Sequence, residues 1–582
     1  MTQAAPPIEN VAAASSASLT RRLDYTALVW ISVPVLLVFL VVLPVYFLLQ
    51  ESFVKWNDDN TMLLSMGNYL EAFTDPIYYS PIVITFVIAV AAGVFSLIIG
   101  AGMAWCVSRT DMPYKGIIRN SVLAAFVTPP FLGAIAWIFL AGPRAGWLNV
   151  LIRWIFGASD NFTLFNIFSL PGVIFAITLY TFPLAFIVVL AGLNNISSDI
   201  EDAANIAGGG TFSTMLNITL PLVLPALFAG LILVALEAMI LFGIPAILAI
   251  PAGYHTMTTQ LRQFMVSEDD MLGVAAAYAM PMLVAAVALV WTRGKVLGRR
   301  GYATLGGKGG QRRPQKLGSL RYPVFFLCFI PVICTLFLPY VALVFTSFTK
   351  TLGGGLTWEN LTLEHYVFMI QNDGVRVSVV NTISLAFMAA TGAALVASIA
   401  AYISQRRLVW GHTFVGFMAT APIGIPGIVL AIGLFAAYTK QPFVLYGTIW
   451  ILFLAYLTKY LPLAFQTSNA ALTSIHPELE ECSRILGANR LQVFKDVTIP
   501  LFKAGLIASW ILVFMPSLRE LSASILLWTT DTKVISVVII DLYEENLFGP
   551  ISAIAVTLLL ITLAAIAAGF SLVGRDFMKA KR

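Results

Sequence analysis

With 582 residues, 59% of them hydrophobic and only 11% charged, the chain is far from the roughly 25% charged residues of an average soluble domain. That excludes a water-soluble fold and identifies an integral membrane protein; the formal net charge of +5 reports on topology, and no nucleic-acid partner is expected. In chain order, residues 1–23 are polar, small and rich in Ala and Ser, and are expected to form a disordered cytoplasmic tail and not a cleaved signal peptide. Twelve apolar runs follow, each long enough to cross a hydrocarbon core of roughly 30 Å as a helix. They lie near 27–49, 81–107, 117–141, 170–194, 219–250, 272–292, 323–346, 378–403, 413–438, 445–466, 499–528 and 550–574. The fifth and eleventh are too long for simple crossings and are expected to be broken or to continue as re-entrant segments. Thr128, Pro129 and Pro130 in the third run, and Pro422 and Pro426 in the ninth, are placed to kink or break their helices.

Orientation follows from the basic residues, because positively charged loops stay on the cytoplasmic side. The connection between the sixth and seventh runs carries Arg293, Lys295, Arg299, Arg300, Lys308, Arg312, Arg313, Lys316 and Arg321 with no acid. It reads as a flexible cytoplasmic linker over 294–322, whose charge also suits anionic lipid. The loop after the first run holds Glu51, Asp58, Asp59, Glu71 and Asp75 against Lys55, which places it outside. An even number of spans then puts both termini in the cytoplasm, as do Arg21 and Arg22 at one end and Arg575, Lys579, Lys581 and Arg582 at the other.

The chain repeats itself. DAANIAGGGTFSTMLNITLP, from Asp202 to Pro221, is matched without a gap by ECSRILGANRLQVFKDVTIP, from Glu481 to Pro500, at an offset of 279 residues. PLAF recurs at the same offset, at Pro183 and Pro462, whereas Tyr69, Thr85 and Arg109 match Tyr366, Thr382 and Arg406 at an offset of 297. The extra 18 residues of the first copy fit the external segment 142–169. Two six-span halves in one orientation follow, residues 24–293 and 323–582, an arrangement known among transporters.

Each repeated loop reads as a short helix, a glycine turn and a second short helix leading to a proline at the start of the next span. Ser197, Ser198 and Pro477 suit helix starts, and Gly208 and Gly487 suit the turn. Small residues (Ala203, Ala204; Cys482, Ser483) leave room for a partner surface, and the acids Asp202 and Glu481 are placed to meet basic or amide groups on it.

The acid, two small residues, a glycine six positions after the acid and a proline nineteen after it resemble the EAA loop of ABC importer permeases. Asp202 stands where that loop usually has glutamate, and Cys482 and Ser483 where it usually has two alanines. The chain thus resembles a fused permease of the type I, binding-protein-dependent ABC importers. The segment from Arg519, RELSASILLWTTDTKVISVVIIDLYEENLFGPISAIAV, and FGIPAIL from Phe242, look most like ferric-iron permeases. The resemblance implies an all-α membrane fold of about twelve spans and a bacterial inner-membrane location. It also implies partners: two copies of a cytoplasmic ABC ATPase and a periplasmic solute-binding protein, with solutes in related permeases including thiamine, aminoethylphosphonate, polyamines and sulfate. No phosphate loop of the form G-x-x-x-x-G-K-[ST] is present, since Lys308 is followed by Gly309. No ATPase site, cofactor, metal centre or catalytic residue is expected.

Charges inside a membrane are expensive, which singles out Glu237 in the fifth span and Arg519 and Glu520 in the eleventh as candidate pathway residues, with pairing to structural neighbours as the alternative. Lys459 in the tenth span is expected to snorkel to the nearby interface. A secondary transporter with two six-span halves is the competing class. The repeated loop after the fourth span of each half argues against it.

Overall fold

The computed structural model describes residues 26–56, 62–159, 161–196, 198–208, 210–267, 271–298, 314–351 and 357–573. The expected tail, the basic centre of the linker and the C-terminal charges lie outside them. The described chain is almost entirely helical; its one sheet is a two-stranded ribbon, Val54–Trp56 against Met62–Leu64. Ten helices are long and apolar enough to cross a membrane, and two bent helix pairs bring the number to twelve if each pair counts as one span.

The bent pairs are the third and ninth predicted spans. Lys115–Val127 meets Pro130–Ala141 at 102°, and His412–Gly424 meets Gly427–Tyr438 at 110°. The cause is local: proline has no N–H for the helical ladder and disfavours helical dihedrals in the residue before it. Thr128 and Pro129 are accordingly extended, with ψ of 128° and 121°, and Pro426 has ψ of 139°. Pro129 and Pro426 stand 297 residues apart, so the break belongs to the duplicated plan. The fifth and eleventh spans are interrupted as expected. Leu220–Ile240 is followed by an extended Leu241 before a π-turn at Pro245–Ala249, and Ile499–Ser517 by residues 518–523 before Ser524–Leu527.

Within each half the second span packs on the fourth and fifth: Tyr79–Arg109 on Leu170–Asn194 and Leu220–Ile240, and Asp373–Gln405 on Ile449–Thr473 and Ile499–Ser517. Lipid tails are as apolar as leucine, so helix association in a bilayer relies on small residues that let backbones approach. Gly100 is one such residue: a Cβ there would lie 2.7 Å from Phe186 N and 2.8 Å from Phe182 O. Its counterpart in the second half, Ala397, sits in a buried alanine stripe with Ala390, Ala393, Ala394, Ala400 and Ala401.

The halves exchange their first helices. Thr26–Phe53 packs against Gly427–Tyr438, with Gly433 so close to Pro44 that a Cβ would meet its carbonyl oxygen at 2.4 Å, and Leu338–Ser347 packs against Pro130–Ala141. Each broken span is thus clasped by a helix from the other half. The linker is not loose throughout: Asp111 N donates to Gln315 O at 2.9 Å, Gln315 N to Arg109 O at 2.8 Å and Leu317 N to Asp111 Oδ1 at 2.8 Å, pinning its described end to the first half. The described part of the inserted segment 142–169 has structure of its own. It forms the helix Trp147–Phe156, held by buried Asn149, which donates to Gly142 O and Phe165 O and accepts from the amides of Leu164 and Phe165.

Candidate functional site

Both repeated loops fold alike. In the first, helix Ser198–Ile206 ends at Gly208, with φ of +87°, and the chain re-enters the fifth span through a π-turn at Met215–Thr219. In the second, helix Pro477–Ile485 ends at Gly487, with φ of +94°, and the π-turn covers Phe494–Thr498. A positive φ is routine only for glycine, which explains why these two positions match. In the second loop Asn489 caps the next short helix: its side chain accepts from Gln492 N at 2.8 Å while Gln492 Oε1 accepts from Asn489 N at 2.9 Å.

The acid that anchors each loop is not the one the motif singles out. Glu201, one residue before Asp202, accepts from Arg109 Nε at 2.9 Å and from Thr219 Oγ1 at 2.8 Å, while Arg109 Nη2 donates to Leu193 O. Glu480, one residue before Glu481, accepts from Arg406 Nε and Nη2, at 2.9 to 3.1 Å, and from Thr498 Oγ1 and Tyr402 OH at 3.2 Å. Each cluster ties three elements together: the end of the second span, the loop helix and the start of the fifth span. The signal was in the sequence, since Arg109 and Arg406 already matched, but only folding brings each arginine to the loop.

Of the motif residues, Ala203, Glu481 and Cys482 are exposed, Ala204 and Ser483 half-buried, and Pro221 and Pro500 exposed in the first turn of their helices. Asp202 lies within the first loop helix. Sequence reading missed the apolar surface around them. Ile206 and its counterpart Ile485 are 88% and 84% exposed, and Leu486 is 89% exposed. Isolated exposed apolar residues are ordinary, but the same position exposed at both glycine turns is a shared surface feature.

The second constellation lies where the helix breaks converge. Arg519 and Glu520 fall in the interruption after Ser517 and not inside a continuous helix. Glu520, 4% exposed, accepts from Lys459 Nζ at 2.8 Å on both oxygens, from Tyr460 OH and from Ala523 N at 3.0 Å. Arg519 Nη1 donates to Phe126 O at 2.9 Å and Thr128 O at 3.0 Å, carbonyls freed where the third span breaks. Lys459 therefore does not snorkel. Its helix continues to Thr473, and a buried carboxylate from the interruption of the next span captures its ammonium. Gly427 leaves room for that ammonium, because a Cβ there would lie 2.8 Å from Lys459 Nζ. Glu237 is exposed, forms no hydrogen bond or ion pair among the described residues, and lies within electrostatic reach of Lys459, Arg519 and Glu520. No three of His, Cys, Asp and Glu come together as a metal site among the described residues.

The model of the family "Binding-protein-dependent transport system inner membrane component" matches residues 96–296 and again 393–573. The chain is 25% identical over 478 residues to the ferric transport system permease protein FbpB of Actinobacillus pleuropneumoniae, covering 81% of this chain and 68% of that one. It is 24% identical to the Fe(3+)-transport system permease protein FbpB 2 of Haemophilus influenzae, covering 82% and 86%. The spermidine/putrescine permease PotC of Escherichia coli is 25% identical, over 42% of this chain and 91% of its own length. With the duplicated helical plan, the twin loops and a family match in each half, this chain belongs to the binding-protein-dependent transport system inner membrane components, as a fused, two-half permease of an ABC importer.

Proposed function

We propose that the two loops face the cytoplasm and are the sockets for two copies of a separate ABC ATPase, and that the charged junction between the halves flanks the solute pathway. The single observation that carries the coupling role is the largely buried arginine–glutamate–threonine cluster, built in both halves, that joins each loop helix to two spans. A displacement of the loop helix is passed to those spans because their shared charges cannot separate without a large cost. The exposed Ile206 and Ile485, beside small residues, supply an apolar contact for the partner, in the manner of anchor residues at protein interfaces. The basic linker and the acidic first external loop support cytoplasmic termini. On this reading residues 24–293 and 323–582 are the two functional halves, 294–322 joins them, hydrolysis belongs to the ATPase, and a periplasmic binding protein delivers the solute.

The glycine turns offer a direct test. Gly208 and Gly487 have positive φ and nothing within 4 Å of an added Cβ, so a bulky residue strains the turn without clashing. Gly487→Val is expected to leave the protein inserted while cutting uptake per ATP hydrolysed at least several-fold, with a backbone cost of roughly 1–3 kcal/mol. Normal coupling in both Gly208→Val and Gly487→Val would remove the loops from the mechanism.

The solute we propose is ferric iron, supported by the resemblance of most of this chain to permeases named for ferric transport. Labelled iron uptake in a strain lacking the chain is expected to fall to background and to return on complementation. Unchanged iron uptake with loss of labelled spermidine, thiamine, aminoethylphosphonate or sulfate uptake would overturn the solute and keep the permease.

A further inference from the structure

We propose that Glu237 is a solute-contacting carboxylate of the translocation pathway and that the pathway favours a cationic solute; this rests on the permease reading above. Four charges gather at the junction of the halves, and their bonding sets them apart. Glu520 and Lys459 neutralise each other, with Tyr460 OH and Ala523 N completing the carboxylate's partners. Arg519 is pinned to the carbonyls of Phe126 and Thr128, and the negative end of the Lys115–Val127 helix dipole offsets part of its charge. Glu237 alone has no such partner among the described residues, yet it stays exposed while Leu236, Ala238 and Met239 beside it are buried.

Its neighbours Leu236 and Met239 share one core with Ile428, Leu521 and Ala523 of the other half, which sets this stretch of helix at the junction, within electrostatic reach of Lys459, Arg519 and Glu520. A carboxylate in such a place persists where a water-filled gap solvates it. The duplication points the same way: 279 residues on from Glu237 stands Pro516, and the counterpart of Lys459 is Tyr180. The charge is therefore a departure from the shared plan, contributed by one half to a junction built by both. A single carboxylate also suits transit, since a pathway contact must bind well enough to admit a solute and weakly enough to release it.

The test uses the complete transporter, with its ATPase and binding protein, in cells lacking the chromosomal copy. Glu237→Gln keeps the side-chain shape and is expected to lower uptake of labelled ferric iron on the order of tenfold, about 1.4 kcal/mol of lost charge interaction. Protein level in the membrane and binding-protein-stimulated ATPase activity are expected to stay unchanged, and Glu237→Asp to keep most uptake. Wild-type uptake in Glu237→Gln, or a fall in membrane-inserted protein that matches the fall in uptake, would overturn the role of Glu237. If the native transporter carries labelled sulfate or aminoethylphosphonate and no cation, the cation preference is overturned while the permease reading stands. If it carries spermidine or thiamine instead of iron and Glu237→Gln reduces that uptake, the proposal holds and only the iron assignment fails.

Discussion

Glu480→Ala is expected to abolish solute uptake while the ATPase partner still hydrolyses ATP. In the native protein Arg406 is nearly buried, and the Glu480 carboxylate takes its guanidinium together with Thr498 Oγ1 and Tyr402 OH. Deleting the carboxylate leaves the arginine, among the described residues, with only the Ile475 carbonyl, at 3.1 Å. Removing one member of a buried pair costs about 3–5 kcal/mol, enough to release the loop helix from both spans that it joins. Glu201→Ala should act in the same way on the first loop, through Arg109 and Thr219. The measurement is uptake per ATP hydrolysed in proteoliposomes containing the full transporter. Coupled uptake at the native ratio in both variants would show that the clusters hold the fold and do not transmit force.

Lys459→Met is expected to give the largest loss of folded protein of any single change at the junction. It strips the buried Glu520 of its counter-ion, at a cost of about 3–5 kcal/mol, and leaves Tyr460 and one backbone amide as the remaining partners. Adding Glu520→Gln removes the orphaned charge, so the double variant should recover much of the loss; apolar or neutral replacement of a whole buried pair is often nearly neutral. Thermal stability in detergent and the amount inserted in membranes both report this. A single variant as stable as the native protein would mean that Lys459 reaches the interface after all. Arg519→Ala should act through the helix break, because it unbinds the carbonyls of Phe126 and Thr128. Its uptake is expected to fall with its protein level, in contrast to Glu237→Gln.

Length alone marks the fifth and eleventh runs as interrupted, without placing their breaks at Leu241 and at residues 518–523; hydropathy, charge and proline already give the class, the two six-span halves, the duplication and the breaks of the third and ninth spans. Those properties are local or additive: hydropathy over a run of residues, charge in a loop, proline in a helix and glycine where φ is positive. Pro129 and Pro426 could be assigned to broken spans because the missing N–H acts on the residue's own helix, and Gly208 and Gly487 because the turn needs no distant partner. Tertiary structure alone decided the pairings. Glu201 and Glu480 look like ordinary neighbours of the motif acids until Arg109 and Arg406 arrive from spans some 70 to 90 residues away. Lys459 reads as a snorkelling side chain until the interruption at residues 518–523 places Glu520 against it. The exchange of first helices between halves has no local signature either. Whether a charge in a membrane is paired or left without a partner depends on which helices meet, and that separates Glu520, satisfied in the core, from Glu237, exposed and without a hydrogen bond or ion pair among the described residues.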